Sequence, residues 1–137
     1  MNSLKYTALI IWWCEGTKQR KDKRWKNSYT NPVEVTNSDP KIINIFLAFL
    51  RKGFNIEETK FHVQLQIHEN DNKQLIEKYW SEILKIPLIQ FDKTIIRPIG
   101  NKPGKNRGTC KIRVYNKILY IKLKQMLDKY LEQIELI

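Results

Sequence analysis

Hydrophobic positions along this chain recur with two different periods, and the places where the period changes divide it into elements. From Asn2 to Glu15 the residues after Tyr6 are apolar on nearly every side, with Ser3 available as an N-cap and Gly16 where a helix would stop. The pattern predicts a helix buried on more than one face. A short strand is expected near Arg24 to Tyr29, then a turn at Asn31-Pro32. Val33 and Val35 next alternate with Glu34 and Thr36, as in a half-buried strand over 32–37. Asp39 can cap a second helix and Pro40 suits its first position; Ile42, Ile43, Phe46, Leu47, Phe49 and Leu50 supply its inner stripe, and Arg51-Lys52-Gly53 end it.

Lys60 to His68 alternates without a break, placing Phe61, Val63, Leu65 and Ile67 on one face and His62, Gln64, Gln66 and His68 on the other. A third helix is expected over 72–85, capped by Asn70 or Asp71, with Leu75, Ile76, Tyr79, Trp80, Ile83 and Leu84 inward and Pro87 beyond its end. Strands over 93–97 and 109–115 follow, joined by a loop through Gly100, Pro103, Gly104 and Gly108. Leu119, Leu123, Met126, Leu127, Tyr130, Leu131 and Ile134 then keep helical spacing to the end. No repeat and no linker divides the chain, so residues 1–137 read as one domain of mixed α/β (α+β) class.

Charge changes the picture from a fold to a partner. The chain carries 25 Lys and Arg against 14 Asp and Glu, a formal net charge of +11. Lys18, Arg20, Lys21, Lys23, Arg24 and Lys26 crowd one window with Asp22 as its single acid. Arg97, Lys102, Lys105, Arg107, Lys111 and Arg113 occupy a second window with no acid. These two windows hold the whole excess, and the other 110 residues are neutral. A biased base composition would scatter Lys along the chain, whereas a concentrated excess fits the phosphates of nucleic acid. On the polar strand faces, His62, Gln64, Gln66, Lys111 and Arg113 combine residues suited to base edges with residues suited to phosphates. Double-stranded DNA is the expected partner, with an RNA-binding module as an alternative.

Other chemistry is sparse. Cys14 and Cys110 form no metal-ligand spacing with the two histidines. His62 and His68 lie six residues apart on one strand, roughly 20 Å at about 3.3 Å per residue, too far to share an ion. There is no phosphate-binding glycine motif and no Ser-His-Asp order, and a small-molecule cofactor is not expected. The longest apolar run, Ala8 to Cys14, is far shorter than the roughly 20 residues that cross a bilayer, so the expectation is no membrane and a reducing cytoplasm, nucleoid-associated in a bacterium.

One stretch carries a resemblance. Ala8-Leu9-Ile10-Ile11-Trp12-Trp13-Cys14-Glu15-Gly16, an apolar helix ending in an acid and a glycine, resembles the signature of the LAGLIDADG homing endonucleases, in the degenerate form found in small stand-alone bacterial proteins. The element order also resembles that family's α-β-β-α-β-β-α core over most of the chain, with the helix around Trp80 and the strand at Ile95 as an insertion. The resemblance implies an antiparallel, saddle-shaped sheet with helices on one face. It implies that Glu15 is a catalytic metal ligand for Mg²⁺, and that a homodimer unites two copies of Glu15 across a helix presenting Thr7, Ala8, Ile11 and Cys14. The activity implied is site-specific DNA cleavage; a non-catalytic DNA-binding regulator on the same fold is the alternative. Leu9, Ile10 and the Trp12-Trp13 pair depart from the small residues that family places in this helix.

Overall fold

The computed structural model describes residues 2–16, 20–21, 29–30, 32–99 and 107–136. Its elements are α1 (Asn2–Glu15), β1 (Arg20–Lys21), β2 (Tyr29–Thr30), β3 (Pro32–Asn37), α2 (Pro40–Gly53), β4 (His62–His68), α3 (Lys73–Leu84), β5 (Ile95–Arg97), β6 (Thr109–Tyr115) and α4 (Lys117–Glu132). β1 and β2 form a small antiparallel pair, and the other strands make one sheet in the order β3-β6-β4-β5. Residues 24–28 of the strand expected near Arg24 to Tyr29 lie outside the described residues.

The sheet is mixed, not wholly antiparallel. β6 pairs antiparallel with both β3 and β4, but β5 runs parallel to β4, with Gln66 opposite Ile95 and His68 opposite Arg97. The reason is the helix between them: α3 carries the chain back along the sheet, so β5 starts from the same end as β4. The segment between β4 and β6 therefore extends the sheet at its edge and leaves β3, β6 and β4 adjoining.

Alternation decides which face is the core. Val33, Val35, Val63, Leu65, Ile67, Cys110, Ile112 and Val114 are buried beneath α1, α2 and α4, together with Ala8, Leu9, Trp12, Phe46, Leu47, Leu123 and Leu127. Trp80 is fully buried and its indole N–H donates to the Arg107 carbonyl, at 2.7 Å. Local sequence starts each helix. The Asp39 carboxylate accepts from the Lys41 amide, Asn72 from Leu75 and Asn116 from Leu119. The third-helix cap is thus Asn72; Asp71 instead accepts from the His68 amide and closes the turn after β4. Leu75, expected inward, is 64% exposed, and Ile134 lies past the end of α4. Residues 58–60 form a 3₁₀ turn before β4 rather than its beginning. Arg51 joins the ends of two helices, binding the Glu58 carboxylate and donating to the Leu84 and Lys85 carbonyls.

Two glycines are fixed by space. A Cβ on Gly16 would run into the Trp12 carbonyl and indole, so the turn out of α1 closes only without a side chain. Gly108 has φ +76° and lies where a Cβ would come within 2.8 Å of the Gln66 carbonyl. Gly108→Ala is therefore expected to destabilise the fold by about 2–4 kcal/mol, from left-handed strain and the backbone clash together. Urea unfolding of the variant beside the parent chain measures it; an unchanged midpoint contradicts this packing.

Candidate nucleic-acid interface

The sheet face opposite the helices is built by the second set of alternating residues. In register across it, Glu34 stands opposite Arg113 and Arg113 opposite His62; Thr36 opposite Lys111 and Lys111 opposite Gln64; Thr109 opposite Gln66 and Gln66 opposite Ile95. Arg97 follows His68 at the edge. Four strands at about 4.8 Å spacing set the outer two roughly 14 Å apart, comparable with the width of a DNA major groove.

The members of this grid are not equally available. Glu34 is 2% exposed, and its carboxylate accepts from Arg113 Nε at 2.6 Å. Arg113 also donates to the Tyr115 hydroxyl and lies over that ring. Burial pulls the Arg113 pKa down, but the hydrogen bond and charge of Glu34, with Tyr115, outweigh it and leave the pKa above its ordinary value. Arg113 is thus a cation held by an internal partner. Gln64 donates its amide to the Lys93 carbonyl, which leaves its side-chain oxygen to accept from outside. His62 lies 3.7 Å from Asp92, and His68 lies 3.8 Å from Asp71.

Gln66 and Lys111 border a depression of about 120 Å³, together with Thr36, Gln64, Leu65, Ile95 and Thr109. Thr36, Thr109 and Ile95 were not singled out by sequence reasoning. The alternation of β3 and β6 carried the signal for both threonines, whereas Ile95 arrives through a parallel pairing that no local pattern announces. Arg107 is exposed, donates to the Tyr79 hydroxyl and stacks 4.3 Å from that ring, which fixes this member of the second basic window on α3. Lys18, Lys23, Arg24, Lys26, Lys102 and Lys105 lie outside the described residues. Arg20 and Lys21 form β1, paired with Thr30 and Tyr29.

Glu15 is the last residue of α1 and is exposed; Gly16 beyond it bridges to Val35 of β3, which sets the helix end against the sheet edge. Among the described residues no group of three His, Cys, Asp or Glu side chains could hold a metal ion. A single exposed carboxylate still fits Mg²⁺ as one ligand of a shared site, because this ion commonly keeps water and takes phosphate oxygens beside one or two carboxylates. On the outer side of α1, Thr7 and Cys14 are exposed and Trp13 is 47% exposed. Ala8 is fully buried in the core, which removes it from the outward stripe, and Ile11 is partly buried against that core. The helical period puts Ala8 a quarter-turn away from Thr7, on the side of Leu9 and Trp12. No helix among the described residues is long and apolar enough to cross a membrane. Compared with protein-family models, with curated proteins and with solved structures, the chain matches none.

Proposed function

We propose that the chain binds double-stranded DNA on the polar face of its sheet, on a LAGLIDADG-like frame, with the two basic windows gripping the flanking phosphates. The observation that carries this reading is the grid of Thr36, Lys111, Gln64, Gln66 and Arg97 on one face, in a chain whose +11 charge lies wholly in two windows. The resemblance of Ala8–Gly16 and of the element order supports the frame. In this reading two copies associate along the outer side of α1, through Thr7 and Cys14, and each contributes one Glu15. Bound there, Mg²⁺ would supply a hard Lewis acid beside the phosphate to be cleaved. The part of this chain is to place that carboxylate at the sheet edge, where Gly16 meets Val35. The chain then acts as a site-specific endonuclease or a diverged relative of one.

A non-catalytic regulator on the same frame is favoured by a different observation: among the described residues, Glu15 belongs to no group of three His, Cys, Asp or Glu side chains that could hold a metal ion. Both readings require the sheet face to read sequence. Gln66→Ala and Lys111→Ala are expected to relax base preference at one position each, at a cost on the order of 1–3 kcal/mol there. Selection from a randomised duplex library reads this out. A preferred site identical to that of the parent chain for both variants would remove the face from recognition, and retention of single-stranded RNA over duplex would favour the RNA-binding alternative.

A further inference from the structure

A second cleft lies in the helical layer, away from the polar sheet face. One compartment, about 370 Å³, is lined by Leu4, Lys5, Phe49, Lys52, Gly53, Phe54 and Met126. Its floor is apolar: Phe49 is buried and packs edge-to-face on Phe54 at 5.4 Å. The adjoining compartment, about 330 Å³, shares Lys5 and Met126 with the first and adds Tyr6, Lys129, Tyr130 and Gln133. Tyr6 and Tyr130 stack at 4.5 Å and hold α1 against α4 there. The cleft therefore runs from a mainly apolar compartment, with Lys5 and Lys52 on its wall, to one of mixed character between Lys5 and Lys129. No carboxylate lines either compartment, and none of the three lysines is ion-paired among the described residues.

We infer that this cleft binds a single-chain amphiphile with an anionic head, a long-chain carboxylate, its chain over Phe49, Phe54 and Met126 and its head between Lys5 and Lys129. The volume of the apolar compartment falls within the usual range of small-molecule sites, roughly 300–1,000 Å³. Three lysines with no ion-pair partner among the described residues, Lys5 lying over the Tyr6 ring, border a trough that no carboxylate lines, and they set the sign of the head. An amphipathic helix would need apolar anchors repeated at each turn, whereas here a mainly apolar compartment is followed by one of mixed polarity, which suits one chain and one head. Met126 suits the floor because an unbranched thioether adapts to a flexible chain.

Isothermal titration of the full chain with dodecanoate tests the site. Saturable binding with one site per chain is expected, weakened at least tenfold by Met126→Glu, which puts a carboxylate in the floor, and by Lys5→Glu, which reverses the charge at the junction. Lys5 is only partly buried, so the second variant keeps the test alive if the first fails to fold. Dodecyltrimethylammonium, of equal chain length and opposite charge, is expected to bind at least tenfold more weakly than dodecanoate. The inference is overturned by absent or unsaturable binding, by equal affinity for the two head groups, or by a folded Lys5→Glu chain that retains the parent affinity. None of these outcomes depends on whether the chain binds DNA.

Discussion

Replacing Lys18, Arg20, Lys21, Lys23 and Arg24 together with uncharged residues is expected to weaken binding to any duplex about 10³-fold near physiological salt. Each cation that neutralises a phosphate releases condensed counterions, and the binding constant falls with salt at a log–log slope of about −0.9 per contact. Removing five contacts should therefore flatten that slope by about four to five. The loss should be nearly the same for every sequence, because phosphate contacts position a protein without reading bases. The remaining part of the first window, Lys26, and the second window would supply what binding is left. Fluorescence anisotropy with a labelled duplex at several salt concentrations measures both the loss and the slope. A parental affinity in the five-fold variant would mean that the first window faces no phosphate at all.

Glu15→Gln is expected to separate binding from chemistry. The amide nearly matches the carboxylate in shape, and Glu15 is exposed at the end of α1, so the fold and the affinity for DNA should be retained. A neutral amide is a much poorer ligand for a hard cation, so Mg²⁺-dependent cleavage should be lost. If the chain is a regulator there is no cleavage to lose, and the substitution should be silent or slightly stabilising, since a negative charge at a helix C-terminus opposes the helix dipole. Plasmid nicking by parent and variant, beside thermal unfolding of each, distinguishes these cases. Nicking that survives Glu15→Gln would exclude the metal role assigned to that residue.

What the sequence made legible followed from local periodicity. The alternation of His62 to His68 and of Thr109 to Tyr115 gave each residue its face before any pairing was known, because a strand has period two. The same rule separated Val33 and Val35 from Glu34 and Thr36. Asp39-Pro40 marked the start of α2 because a side-chain acceptor before a proline serves the first helical turn, and the Lys41 amide bonds as that expectation requires.

What stayed hidden depends on residues distant in sequence. The bond between Glu34 and Arg113 spans 79 positions, and it converts a residue expected to face DNA into one held within the protein. β5 joins β4 in parallel through a crossover, and a run of three residues carries no sign of its direction. Leu75 fits the inner stripe of α3 by spacing, yet no element among the described residues covers it; burial depends on what packs against a helix as well as on its own period. Ala8 turns into the core for a related reason. On an almost wholly apolar helix the sequence does not say which side meets its own core, and the packing of α1 on α2, α4 and β3 decided it.

The grid on the sheet face and the two basic windows stand or fall on a single titration. Binding of the parent chain to a duplex pool, followed from 50 to 300 mM salt, is expected to be tight at the low end and to weaken with a log–log slope of about −5 or steeper, as for six or more phosphate contacts. No binding at the low end, or an affinity that does not change with salt, would contradict the central claim that this chain grips DNA.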